Sequence, residues 1–129
     1  MLSRSLGKRL EKKLSENTID ITAEQWSVLS LLFHKNKLTQ VQIGNILGLD
    51  KVKVLRIVRH LENKNLLKRV ISTTDKRYNN VYLTPEGSIL YHQIVPFALE
   101  VHKEAFDSIH PDNISLCIDI MTKINNNLE

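Results

Sequence analysis

The residues with the most chemical character in this chain are cations, and they are crowded together. Positions 49–77 hold nine basic residues against three acidic ones, a net +6, whereas positions 84–129 hold two against seven, a net −5. Within the basic block stand Arg56, Arg59, Arg69 and Arg77, interleaved with Lys51, Lys53, Lys68 and Lys76. A guanidinium grips a phosphate, or the two acceptors of a guanine edge, with paired hydrogen bonds. The chemistry on offer is recognition of a polyanion. Groups that make or break bonds are badly placed for it. There is no glycine-rich phosphate loop and no nucleophile elbow, and Glu100, Glu104 and Asp107 read as a solvated helix face. His34, His60, His92, His102 and His110 include no i, i+3 or i, i+4 pair, so metal-ligand spacing is missing. The single cysteine, Cys117, lies on an apolar stripe and reads as a small buried hydrophobe. Neither enzyme activity nor a metal or other cofactor is expected.

Such cations need a frame to aim them. A chain of 129 residues, 42% hydrophobic and 25% charged, suffices for one folded domain without disulfide or metal staples. No apolar run approaches the ~18 residues of a membrane span. The amino end spaces single leucines between basic residues and lacks the apolar stretch of a secretory signal. A cytoplasmic protein without membrane partners is expected.

Along the chain, Thr22 with Gln25 and Thr39 with Gln42 are two capping-box pairs. The first opens a helix whose Trp26, Leu29, Leu32 and Phe33 share a face. The second opens a short helix through Ile43, Ile46 and Leu47, closed by Gly48. Asp50 then caps a helix running to about Asn65. Its Val54, Ile57, Val58 and Leu61 point inward, and Val52, Arg56, Arg59 and Asn63 point outward. Two short helices joined by Gly48-Leu49-Asp50, the second basic outside, describe a helix-turn-helix. Segments 66–72 and 78–83 read as strands of a hairpin with a basic tip at 73–77. Thr84-Pro85 starts a long helix that Pro96 should kink, and Pro111 starts a last one carrying Ile114, Cys117, Ile118, Met121, Ile124 and Leu128 on one side.

The fold class is thus mostly α (α+β): a winged helix-turn-helix with a two-stranded β-wing and flanking helices. Leu2, Leu6, Leu10 and Leu14 form a narrow seam on a basic first helix, better suited to a partner than to a core. Residues 1–18 and 85–129 are therefore assigned to dimerisation and residues 19–84 to DNA binding. On double-stranded DNA, Arg56 and Arg59, with Lys51 and Lys53 at the entrance, face the major groove. Val52 and Leu55 either touch thymine methyl groups or pack on the neighbouring helix. Arg77 at the wing tip suits the minor groove, with Asp75 orienting it or capping the turn. Lys68, Arg69 and Lys76 are candidate phosphate contacts, as are Thr39 and Gln40 at a helix amino terminus. A homodimer would set two recognition helices about one duplex turn, ~34–36 Å, apart on a pseudo-palindrome. The competing class is a winged-helix module that binds protein, which has no reason to keep all four arginines.

The chain from about Ile21 to Tyr91 resembles the MarR family, the multiple-antibiotic-resistance-type regulators. Asp75-Lys76-Arg77, followed by Val81-Tyr82-Leu83-Thr84-Pro85-Glu86-Gly87, looks like that family's wing motif and the start of its long helix. Leu38-Thr39-Gln40, Leu47-Gly48-Leu49-Asp50-Lys51 and Leu61-Glu62-Asn63-Lys64 also match its pattern. Two departures stand out: Val52 and Leu55 replace the frequent Ser or Thr, and Asn65 stands where a glycine commonly closes the recognition helix. The resemblance implies a repressor and a pocket for a small aromatic or phenolic effector, for which Trp26, Phe33, Tyr91 and Phe97 are the candidates. No cation in 84–101 marks a carboxylate site there. Some members sense zinc through histidines on the long helix or peroxide through an amino-terminal cysteine; His92 and His102 fall on different faces, and this chain has no such cysteine.

Overall fold

The computed structural model describes residues 2–71, 73 and 79–129. The wing-tip candidates Asp75, Lys76 and Arg77 lie outside the described residues. In chain order the elements are α1 (Leu2–Glu16), α2 (Ala23–Lys35), β1 (Lys37–Thr39), α3 (Gln40–Leu47), α4 (Lys51–Asn63), β2 (Leu67–Ile71), β3 (Asn79–Leu83), α5 (Pro85–Ala105) and α6 (Pro111–Leu128).

The helix starts are where short polar side chains can take up unpaired backbone N–H groups. Thr22 Oγ1 accepts from the Gln25 N–H at 3.1 Å, and Gln25 Oε1 accepts from the Thr22 N–H at 3.1 Å. Thr39 and Gln42 repeat the exchange at 3.1 and 2.9 Å. Asp50 Oδ1 accepts from the Lys53 N–H at 2.8 Å, and Thr84 Oγ1 from the Gly87 N–H at 3.0 Å. Each such cap stabilises its helix by about 1 kcal/mol. At the other ends, Gly48 closes α3 in the left-handed conformation at φ 68°, and Asn65 adopts φ 65° just past α4.

Val54, Ile57, Val58 and Leu61 of α4 are buried, as their period predicts, against Val28, Leu29 and Leu32 of α2, Ile43 of α3, and Leu67 and Val81 of the sheet. Full burial of one such side chain is worth about 1.5–3 kcal/mol. This core fixes the roll of α4 about its axis and so decides which side chains face outward.

Two features depart from the expectation. The sheet has three antiparallel strands, ordered β1-β3-β2, where two were expected. Lys37, Leu38 and Thr39 pair with Tyr82, Val81 and Asn80, alongside the β2–β3 register of Leu67 with Leu83 through Ile71 with Asn79. Three residues are too few to show a two-residue alternation, and their partner strand is far along the chain. Asn36, at φ 63°, makes the sharp turn out of α2 that β1 requires.

Second, the leucine seam of α1 is met inside the chain. Leu10 and Leu14 are buried and Leu6 half-buried, in the same core as Ile94 and Val101 of α5. The acids of α5, expected as a solvated face, pair with α1: Arg9 Nε to Glu104 at 2.9 Å, and Lys13 Nζ to Glu104 at 2.8 Å and Glu100 at 3.4 Å. The hydrogen bonds from Lys13 and Arg9 hold the Glu104 carboxyl below its ordinary range, and Glu104 in turn holds Lys13 above its own. Helix α5 runs through Pro96 as one element. Helix α6 buries none of its residues: Cys117, expected to be buried, is exposed, as are Ile118, Met121, Ile124 and Leu128.

Candidate nucleic-acid interface

With its apolar stripe turned into the core, α4 presents Lys51, Val52, Arg56, Arg59 and His60 to solvent. Val52, Arg56 and Arg59 stand at i, i+4 and i+7, which places them on one face. Lys51, Arg56 and Arg59 form no ion pair among the described residues. Beside this face runs a cleft of about 640 Å³ between α3, α4 and the sheet. Thr39, Gln40, Lys51, Leu55, Arg59 and Arg69 all line it, so six of the sequence candidates converge on one concavity. Val41 and Asn45 of α3 and Asn79 of β3 line it too and were not anticipated. Their signal was faint: Val41 and Asn45 lie off the α3 face that carries buried Ile43, and Asn79 opens a strand.

Two of the candidate DNA-binding cations, Arg69 and Lys53, are already engaged. Arg69 donates to Glu62 in a fork, from Nη2 at 2.8 Å and from Nε at 3.2 Å to each carboxylate oxygen. The Arg69 guanidinium holds the Glu62 carboxyl below its ordinary range. The pair ties the end of α4 to β2 and sets the plane of Arg69 at the edge of the cleft. Lys53 Nζ lies 3.2 Å from the Glu24 carboxylate, which links the first turn of α4 to α2. Lys68 is exposed, with Nζ over the Tyr82 ring at 5.9 Å from its centre. Leu55 is half-buried at the cleft wall, whereas Val52 is 74% exposed. Thr39 serves first as the cap of α3, with Gln40 following it at the helix amino terminus.

The four effector candidates divide. Tyr91 is sandwiched between Phe33, 3.9 Å between ring centres at 13°, and Trp26, 5.2 Å at 14°. These rings occupy one another's faces, and Phe97 packs against the core. An apolar groove of about 320 Å³ does open between α1, α2 and α5, lined by Leu6, Leu10, Trp26, Ala98, Val101 and Phe106 among others. Of the four candidates, Trp26 reaches it. Among the described residues no helix is long and apolar enough to cross a membrane.

Comparison with known proteins places this geometry. The model of the MarR family matches residues 21–78, a stretch that includes α2 through β2. The HTH-type transcriptional regulator MhqR of Bacillus subtilis is 27% identical over 94% of this chain and 82% of its own length. A mutant MarR from Escherichia coli, solved in complex with operator DNA, superposes with a TM-score of 0.86 at 25% identity, covering 96% of this chain and 88% of that one. A MarR transcriptional regulator from Methanosarcina mazei shares the fold at a TM-score of 0.87 and 22% identity, over 99% of this chain and 93% of its own. Family model, relative and operator-bound neighbour agree: this chain is similar to the MarR family of winged helix-turn-helix regulators and shares their fold.

Proposed function

We propose that this protein is a sequence-specific DNA-binding repressor that acts as a homodimer on an inverted-repeat operator. The observation that carries the reading is the outward face of α4: three cations, Lys51, Arg56 and Arg59, held away from a buried apolar stripe and beside a cleft lined by Thr39, Gln40 and Arg69. Arg56 and Arg59 read base edges, each bidentate contact discriminating by ~1–3 kcal/mol. Lys51, Lys68 and the amino terminus of α3 hold phosphates and set the register. Arg77 extends the contact into the minor groove, with Asp75 orienting it, and Lys76 adds a phosphate contact. That Escherichia coli MarR, 25% identical, was solved on operator DNA supports the same use of the lobe here.

In this reading residues 19–84 bind DNA and residues 85–129 join two copies. The uncovered apolar side of α6 is the surface that supports this. Residues 1–18 contribute by bracing α5, which they pack against within the chain. Repression follows from a dimer that occupies promoter DNA. Release by a small aromatic effector is supported by the groove beneath Trp26, the single tryptophan.

The test is to select genomic fragments with the purified protein and titrate the best one at two salt concentrations. An enriched inverted repeat, with log affinity falling steeply against log salt as several phosphates are neutralised, is expected. Failure to enrich any duplex, including after unfolding and refolding to strip bound ligand, would favour the protein-binding alternative. Quenching of Trp26 fluorescence by a phenolic acid such as 4-hydroxybenzoate, with loss of the DNA complex, is the expected effector result.

A further inference from the structure

We propose that Val52 is a specificity-determining residue that reads the 5-methyl group of a thymine in each operator half-site. The inference rests on the DNA-binding reading above and names a base that this reading leaves open. Val52 is the second residue of α4 and is 74% exposed, exceeded among the described large hydrophobic residues only by Leu128 at the last turn of α6. Nothing in the fold calls for a valine there. Val54, Ile57, Val58 and Leu61 already supply the core of α4, and a β-branched residue on an exposed helical position is mildly unfavourable.

Its surroundings say what would cover it. Lys51 and Arg56 stand exposed beside it, and with Asp50 and Lys53 they edge a shallow depression around the isopropyl group. The Asp50 carboxylate is turned into the helix end, where it accepts the Lys53 N–H at 2.8 Å. An apolar tip ringed by cations complements a surface that is anionic at its walls and carries hydrocarbon at its floor. The DNA major groove is such a surface, and the thymine methyl is the hydrocarbon group its base edges display. Because Val52 shares a face with Arg56 and Arg59, an orientation that brings the two guanidinium groups to base edges brings the isopropyl group there as well. Leu55, half-buried in the cleft wall, is less free to do the same.

Replacing thymine by deoxyuridine removes that methyl and leaves the pairing edge intact. The experiment places single deoxyuridines, symmetrically in both half-sites, at each thymine of the selected operator and titrates the full chain against Val52→Ala. At one thymine pair, uracil is expected to weaken wild-type binding about four-fold per half-site. Val52→Ala is expected to bind the unmodified operator more weakly and to be indifferent to uracil at that pair, since the interaction is already gone. Unchanged helical circular dichroism of the variant confirms that its fold is intact. Uracil without effect at every thymine, or equal sensitivity in both proteins, overturns the role of Val52 while leaving DNA binding standing. Failure of the wild type to bind any duplex overturns the DNA-binding reading, and this inference with it.

Discussion

Gly87 stands where a side chain has no room: a Cβ built on it overlaps the carbonyl oxygen of Leu66 and the side chain of Leu83. The crowding arises because Thr84 bolts the start of α5 to the end of α4, its Oγ1 donating to the Asn65 carbonyl at 2.6 Å while its N–H donates to Leu66 O at 3.1 Å. The Leu-Thr-x-x-Gly phrase therefore encodes a close approach between two backbones. Gly87→Ala is expected to destabilise the fold by about 1–3 kcal/mol, because backbone must shift to admit the methyl; thermal unfolding measures it. A second prediction concerns Lys53, which Glu24 partly neutralises at 3.2 Å. Glu24→Gln frees that ammonium for a phosphate. The slope of log affinity against log salt should steepen by about one per half-site, with tighter binding at low salt. Fluorescence anisotropy across a salt series checks this, and an unchanged slope would show that Lys53 stays clear of DNA.

Helices declare themselves locally, which is why most of this frame was legible before any coordinates. Thr22, Thr39, Asp50 and Thr84 each sit within three residues of the N–H they accept, so the cap and its partner fall in one short window. The stripe of α4 is likewise complete within the helix, and it assigned the outward residues correctly. What escaped depends on partners distant in sequence. β1 exists because Leu38 meets Val81, and the leucines of α1 are buried because α5 returns over them. Pairing of Arg69 with Glu62, and of Arg9 and Lys13 with Glu104, belongs to the same class, since a run of charges does not name its counter-ions. These pairs make stability respond to acid. The Glu62 and Glu104 carboxyls are held below their ordinary values in the fold. Their contribution is complete above the unfolded carboxylate value, about 4.3, and is lost as pH falls through the lower folded values. The melting temperature should change little through these groups between pH 7 and pH 5 and drop below pH 4. In a Glu62→Gln, Glu104→Gln double variant the drop should be shallower, from a lower starting point at pH 7. An identical acid limb in both proteins would assign the loss to other carboxyls.

The molecule as a whole is a packed lobe of five helices and a sheet with α6 carried outside it, and the division of labour predicts what truncation does. Removing residues 111–129 takes away the exposed apolar side of α6 and none of the buried core. The remaining chain should stay folded, sediment as a monomer, and bind a full operator at least roughly 10²-fold more weakly, since the second half-site is no longer tethered. A truncated chain that remains dimeric would move the pairing surface to α5 and α1. The short strand β1 has a different consequence. Thr39 is the last residue of that strand, paired with Asn80, and also the cap of α3. The β2–β3 ribbon and the helix pair α3–α4 therefore have no slack joint between them. A force on the outer end of the ribbon acts as on a crank, turning the first turn of α3 and, through the shared core, the axis of α4. On the proposed function, a load on the ribbon and the reading of bases by α4 would be coupled as a single mechanical stroke.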